Sequence, residues 1–482
     1  MLYSLIQVHL SVHYLRFQKR GKSEHERLPA LNAEQELPVV TIQLPIYNEL
    51  YVVERLIEAV SEFDYPKDKL EIQVLDDSTD ETVDIIAKKV AEIAAEKGLD
   101  IQHVRRPERK GFKAGALQYG LKIAKGEFIA IFDADFVPRK DFLRNTIPHF
   151  YLDDQIGLVQ TRWEHLNKDY SLLTKLQAFG LDAHFSVEQQ GRFAGGYFLN
   201  FNGTAGVWRR TCIDDAGGWE HDTLTEDLDL SYRAQLKGWK IKFMENLGSP
   251  AELPWAMTAI KSQQFRWTKG AAEVARKNLW KVLRAKLPFG LKVHAFFHLM
   301  NSSIFVCVLM TAILSVPMIL LKDSDPNLEA FFKYASLFLL SMLGLVTFYW
   351  TSRTNRETDG LGSRASNFLV TFPLFLALSM GMSLHNAIAT IEGYLGVKSP
   401  FIRTPKFNVD DLKDNWRDRT KYLTRSISPV TIMEGLFTLY FIAGIALGIY
   451  HQEYGMLPFH IMLTLGYGAI FYFSVRHTMA AA

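Results

Sequence analysis

Phe128-Ile129-Ala130-Ile131-Phe132-Asp133-Ala134-Asp135 is the stretch that decides the fold. Five consecutive apolar residues bounded by polar sequence read as a strand buried on both faces, as in a parallel sheet covered by helices. Two charges directly after such a strand are costly unless a metal or basic groups pair with them. Their spacing of two turns both side chains the same way along an extended chain, an arrangement able to hold a divalent cation.

Upstream of this strand, apolar runs at 39–44, 72–75 and 101–104 alternate with helix-period stretches after Glu49, over 81–97 and from Lys113. That alternation predicts an α/β domain with a parallel sheet, whose ligands sit beyond the carboxyl ends of the strands. The second strand ends in Asp76-Asp77-Ser78-Thr79-Asp80, a second acidic group in the same place; Asp77 or Ser78 with Glu81 also fits a capping box. Arg105, Arg106, Arg109, Lys110 and Lys113 surround the Gly-containing stretch Lys110-Gly111-Phe112-Lys113-Ala114-Gly115. Cations and backbone amides at a helix start suit a phosphate, and a solvated basic loop is the plain alternative. Thr225-Glu226-Asp227 offers a carboxylate able to take a proton from a hydroxyl, or simply a helix start. Gln263-Gln264-Phe265-Arg266-Trp267 places an amide, a guanidinium and a sugar-stacking indole on one short helix, which also fits a helix resting on a membrane surface.

Downstream, the composition changes. The chain is 48% hydrophobic and 13% aromatic, and the excess lies after about residue 295. Runs at 296–321, 330–350, 430–449 and 457–475 approach or exceed the roughly 20 apolar residues that cross a bilayer. The run 366–387 is similarly apolar, but Arg353, Arg356 and Arg364 precede it, and Lys398, Arg403, Lys406, Lys413, Arg417, Arg419, Lys421 and Arg425 follow it. Keeping both basic flanks inside predicts a segment lying in the interface or re-entering it. By the same rule the basic stretch 276–292 is inside and the soluble half cytosolic, with the acidic connection at Asp323, Asp325 and Glu329 outside. The expected layout is 1–37, a short anchor or truncated helix with a linker; 38–270, the catalytic domain; 271–295, interfacial helices; 296–350, two spans; 366–397, the interfacial segment; 398–428, a loop; and 430–475, two spans. A net charge of +2 argues against a nucleic-acid partner, and two cysteines, Cys212 and Cys307, make neither a disulfide framework nor a metal knuckle. Asn202-Gly203-Thr204 matches a glycosylation acceptor but falls in the half placed in the cytosol, and is read as structural or substrate-facing.

Taken in order, the acidic pair Asp76-Asp77, the D-x-D of Asp133 and Asp135, the T-E-D of Thr225 to Asp227 and the Q-x-x-R-W of Gln263, Arg266 and Trp267, followed by membrane spans, resemble the processive family-two glycosyltransferases, the cellulose synthases and their relatives. The likeness is strongest to the cellulose-synthase-like mannan and glucomannan synthases and related glucan synthases. It runs through Gln73-Val74-Leu75-Asp76-Asp77-Ser78-Thr79-Asp80, Lys113-Ala114-Gly115-Ala116-Leu117 and Phe201-Asn202-Gly203-Thr204-Ala205-Gly206-Val207-Trp208-Arg209.

The resemblance implies a GT-A type, Rossmann-like nucleotide-sugar transferase domain followed by an α-helical transmembrane bundle. It implies inverting transfer of a hexose from GDP-mannose or UDP-glucose to a growing β-linked polysaccharide, coupled to export. In the roles it carries over, Asp76 and Asp77 contact the nucleotide, Asp133 and Asp135 hold Mg or Mn against the diphosphate, and Lys113 assists there. Asp227 is the general base. Gln263, Arg266 and Trp267 lie near pyrophosphate and acceptor, while Glu226 and Asn202, Gly203 and Thr204 face the acceptor. Phe401-Ile402-Arg403-Thr404-Pro405-Lys406 resembles the gating loop that closes over the nucleotide, with Thr404 and Lys406 on the donor and Arg403 in place of the family's valine. The implied setting is a plasma (inner) membrane, or else a Golgi membrane, in contact with lipids; export subunits are left open. The competing readings are a non-processive lipid glycosyltransferase of the ceramide glucosyltransferase kind and a non-catalytic transport or scaffold subunit.

Overall fold

The computed structural model describes residues 1–20, 37–324, 334, 340–354, 360–399, 402–408, 421 and 426–479. After an N-terminal helix α1 (Leu2–Lys19), the catalytic half opens with β1 (Val40–Ile46), α2 (Val53–Ser61), β2 (Leu70–Asp76), α3 (Thr82–Lys97), β3 (Asp100–Arg105), α4 (Phe112–Ile123) and β4 (Phe128–Ile131). These four strands lie parallel in the order β3-β2-β1-β4. The stretch that set the expectation alternates as it should: Phe128, Ala130 and Phe132 pack with Ile42, Leu56 and Ile86, whereas Ile129 and Ile131 pack with Leu117, Leu121 and Trp208 on the other face.

Beyond β4 the sheet departs from the simple parallel pattern. It continues β6-β5-β7, with β5 (Ile156–His165), β6 (Gly206–Arg209) and β7 (Lys240–Ala251); β6 runs antiparallel to both β4 and β5. The reversal is made at Gly203 and Ala205, with φ of 80° and 52°, after which the Ala205 N–H donates to the Ile131 carbonyl. A positive φ is cheap for glycine and strained for alanine, so the turn is held by its neighbours.

Leaving aside helices of six residues or fewer, the chain continues with α5 (Leu172–Ala183), a π-helical turn His184–Gln190, α6 (Glu226–Leu236), α7 (Met257–Arg284), α8 (Phe289–Leu299), α9 (Ser303–Ser324), α10 (Leu340–Thr354), α11 (Leu361–Gly381), α12 (Ser383–Leu395), α13 (Pro429–Tyr450) and α14 (Leu457–Met479). Among the described residues, four segments are long and apolar enough to cross a membrane: Ser303–Lys322, Leu361–Gly381, Pro429–Tyr450 and Tyr454–Met479. One differs from the expected bounds, and one falls in the stretch expected to lie in the interface. The run expected over 296–321 breaks between α8 and α9 at Asn301-Ser302, where the Ser302 carbonyl accepts the Thr390 hydroxyl at 3.1 Å and the Ser303 hydroxyl meets Tyr394 at 2.6 Å. The stretch expected to lie in the interface contains α11, one unbroken helix of 21 residues passing through Pro373. Of the run 330–350, residues 330–333 and 335–339 lie outside the described residues, as do the linker 21–36, Asp325, Glu329, Arg356, Lys413, Arg417, Arg419, Arg425 and much of the loop 398–428.

Candidate active site

The carboxyl ends of β1 and β4 open on a cleft closed over by the loop 402–406. After β4 the chain turns tightly: the Asp133 N–H donates to the Thr204 hydroxyl at 2.9 Å, and the Phe136 N–H to the Asp133 carbonyl at 3.1 Å. Asp133 and Asp135 thereby both line the cleft. Each meets an ammonium, Lys113 Nζ at 2.6 Å from Asp133 Oδ1 and Lys406 Nζ at 2.5 Å from Asp135 Oδ2. Lys113 projects from the first turn of α4 and also donates to the Gly203 carbonyl at 2.9 Å. Burial works against its charge, but Asp133 and Glu226 outweigh burial and raise its affinity for the proton.

The first acidic pair is divided. Asp77 lines the cleft, where Arg106 holds its carboxylate in a fork with distances of 2.7 and 2.5 Å. Asp76 does not line it. Its fully buried carboxylate accepts the Ser78 N–H at 2.8 Å and faces His103 Nε2 at 2.8 Å, so it supports the turn that presents Asp77. Thr204 likewise stands behind the site, its hydroxyl occupied by the D-x-D turn, while Asn202 and Gly203 line the cleft.

Opposite the D-x-D turn, Glu226 and Asp227 begin α6 and face the same space. Burial, then the Glu226 charge, pushes the Asp227 carboxyl up to about 7; burial raises Glu226 as well. A carboxylate tuned toward neutrality at a cleft is poised to accept a proton. Gly203 makes room for it. A Cβ at that residue would stand 3.1 Å from Asp227 Oδ2 and 3.4 Å from Lys113 Nζ. From α7 come Gln263, Arg266 and Trp267, and Arg266 reaches across the cleft to donate to the hydroxyl of the loop residue Thr404 at 2.7 Å. All the sequence-predicted site residues except Asp76 and Thr204 therefore share one cleft.

Residues 38–270 match the family model for glycosyltransferase like family 2. The chain is 38% identical over 375 residues to a rice protein, glucomannan 4-beta-mannosyltransferase 1 of Oryza sativa subsp. japonica, an alignment covering 72% of this chain and 71% of that one. The chain belongs to glycosyltransferase family 2. Within it, the likeness to glucomannan mannosyltransferases makes this enzyme a member of the cellulose synthase superfamily and a hexosyltransferase. A second relative, glucomannan 4-beta-mannosyltransferase 1 of Cyamopsis tetragonoloba, is 33% identical over 489 residues, 97% of this chain and 87% of its own. With several others the chain spans about half their length, as with the Arabidopsis thaliana glucomannan 4-beta-mannosyltransferase 2, 44% identical over 54% of this chain and 49% of the relative. In three dimensions the fold is shared by the mannosyltransferase from Pyrobaculum calidifontis solved with GDP-Man and Mn2+. It has a TM-score of 0.51 and 20% identity, over 83% of this chain and all of the other. The GT-A type fold expected from the sequence is thus the fold of this glycosyltransferase.

Some groups lining the glycosyltransferase cleft carry no motif. Glu49, three residues past β1, is pushed up to about 8 by burial despite Arg403, whose Nη1 lies 3.1 Å away. Trp163 on β5 stands 6.3 Å from Trp267, ring centre to ring centre, and Arg109 stacks 3.4 Å over Tyr47. Their positions at strand ends, where α/β sheets bind ligands, are the signal that would have found Glu49 and Tyr47. The cleft also suits a divalent cation. Two carboxylates from one turn converge on it, and each has an oxygen, Asp133 Oδ2 and Asp135 Oδ1, that takes no hydrogen bond from the described residues. A second acidic group elsewhere, Glu220, Asp222 and Asp229, is already bridged by Lys277 at 2.6, 2.7 and 3.0 Å.

Proposed function

We propose that this glycosyltransferase moves mannose from GDP-mannose to the end of a growing β-linked mannan or glucomannan. The observation that carries the reading is the convergence of Asp133, Asp135, Asp227, Gln263, Arg266 and Trp267 on one cleft roofed by Thr404 and Lys406. It is joined to relatives that are glucomannan 4-beta-mannosyltransferases along most of the chain. Asp227 takes the proton of the acceptor hydroxyl as that oxygen attacks the anomeric carbon, and the nucleoside diphosphate leaves from the opposite face, inverting the centre. Asp133 and Asp135 would hold Mg or Mn, which would supply positive charge for the leaving diphosphate. Arg266, Lys406 and Lys113 add theirs, and Trp267 with Trp163 offers the acceptor ring an aromatic wall.

The free space in the cleft, about 170 Å³, is below the range of roughly 300–1,000 Å³ typical of ligand pockets. The loop 402–406 therefore withdraws to admit the donor and returns over it. The apolar helices α9, α11, α13 and α14 cross the membrane, with the basic stretch 276–292 and the catalytic half on the cytosolic side.

The test is to incubate the membrane-embedded protein with radiolabelled GDP-mannose or UDP-glucose, with and without Mg or Mn, and to separate polymer from lipid-extractable product. Metal-dependent polymer from GDP-mannose supports the proposal. Polymer from UDP-glucose alone reassigns the donor, and a short lipid-extractable product replaces the polymerase with a lipid glycosyltransferase.

A further inference from the structure

The π-helical turn His184–Gln190 stands beside the cleft without lining it. A π-turn is wider than an α-turn, its backbone bonds running from i to i+5, and such turns recur at functional sites. The width shows in the side chains: His184 meets Glu188, four residues on, through Nδ1 at 3.0 Å, and Gln189, five residues on, through Nε2 at 3.3 Å. The same Nε2 lies 3.2 Å from Oδ1 of Asn202, which does line the cleft.

Glu188 is buried and also accepts from Arg192 at 3.1 Å. Burial alone would raise its carboxyl, but the His184 hydrogen bond and the His184 and Arg192 charges outweigh burial and hold it well below the usual carboxylate range. Both ring nitrogens of His184 face acceptors, Glu188 Oε2 and Asn202 Oδ1, so the ring donates from Nδ1–H to Glu188 and from Nε2–H to Asn202 in its protonated form, fixed in place by the ionised Glu188. The Asn202 amide oxygen is then surrounded by donors: His184 Nε2, Gln189 Nε2 at 3.3 Å and Asn200 Nδ2 at 3.0 Å. Its backbone is pinned as well, the N–H donating to Gln160 Oε1 at 3.0 Å. With the oxygen so placed, the amide nitrogen must face the other way, and it is a buried donor with no partner among the described residues. Buried donors are normally satisfied, so one left open beside a cleft is a group awaiting a ligand. The turn supports the aromatic side of the site too, since Phe185 packs 5.1 Å from Trp163.

We infer that His184, keyed by Glu188, is a positioning residue for the acceptor: it fixes the Asn202 amide so that its N–H groups bind an oxygen of the sugar at the end of the acceptor chain. The inference rests on the reading of the acceptor as a glycan and is independent of which hexose is transferred.

The experiment compares the full-length wild type with His184→Ala, His184→Gln and Glu188→Gln, using mannohexaose as acceptor and whichever radiolabelled donor the wild type uses. KM for mannohexaose, KM for the donor and metal-dependent hydrolysis of the donor are measured together. His184→Ala and Glu188→Gln are expected to raise the mannohexaose KM about tenfold or more and leave donor KM and hydrolysis within twofold. His184→Gln, which keeps a donor for the Asn202 oxygen, recovers most of the affinity. Quenching of tryptophan fluorescence by mannohexaose, read without donor, should weaken in the same order. Equal losses in donor and acceptor KM, or an unchanged acceptor KM in His184→Ala, overturn the positioning role. A wild type that neither elongates mannohexaose nor is quenched by it overturns the glycan acceptor, whereas a wild type that elongates it from another donor corrects the donor and leaves His184 in place.

Discussion

The acidic pairs after β2 and after β4 occupy equivalent places in the sheet and meet different fates. Asp76 stands in register with Arg105 of β3, and His103 on the same strand reaches its carboxylate, so the end of β2 is neutralised from within. Among the described residues, the end of β4 has no such neighbour on an adjacent strand. Its partner β6 begins at Gly206 after the Gly203 turn, and the cations that meet Asp133 and Asp135 come from α4 and from the roofing loop. Charges paired inside the fold belong to stability, and charges paired across a cleft are open to exchange with a ligand.

The comparison is broken most decisively at the base. Asp227→Asn should lower transfer by about 10³-fold or more while donor binding persists, since general-base catalysis contributes roughly 10²–10⁴ and the amide cannot accept the proton. Retained turnover would remove Asp227 from that role. Next, Asp135→Ala should weaken metal-dependent donor binding by about 10²-fold, in the range seen for disturbed metal sites. Calorimetry with and without Mn reads it, and an unchanged metal requirement would place the cation elsewhere. A smaller effect comes from pH. Because the Asp227 carboxyl is raised to about 7, it holds a proton below that value and cannot serve as base. Turnover should therefore fall by roughly tenfold per pH unit on acidification from neutrality, and a flat profile between pH 5 and pH 7 contradicts it. The smallest catalytic effect belongs to Asp76→Asn. Donor KM should stay within about twofold while stability falls by ~1–3 kcal/mol, the cost of disturbing a buried hydrogen-bonded group, visible as a lowered Tm. A large rise in donor KM would return Asp76 to the nucleotide site.

Much of this was legible beforehand. The two-faced burial of 128–132 follows from its uninterrupted apolar run, and the ordered motifs named the cleft residues before their distances were known. What escaped depends on contacts that spacing does not encode. Nothing in Asp76-Asp77 says which carboxylate meets His103, because that depends on the register between β2 and β3. Nothing in Asn202-Gly203-Thr204 says that its threonine faces the D-x-D turn while its asparagine faces the cleft, because the residues between them pass through a reversed φ. The break at Asn301-Ser302 was masked by the apolar residues on either side, and α11 is long and apolar enough to cross a membrane although charge counting reads its stretch as interfacial.

The loop's Lys406 sits on the carboxylate that is proposed to bind the cation. Ammonium and divalent ion are then competitors for one oxygen pair, and metal affinity becomes a gauge of where the loop stands. Replacing Lys406 with methionine should tighten metal binding to the empty enzyme while slowing the reaction, so that affinity and turnover move in opposite directions.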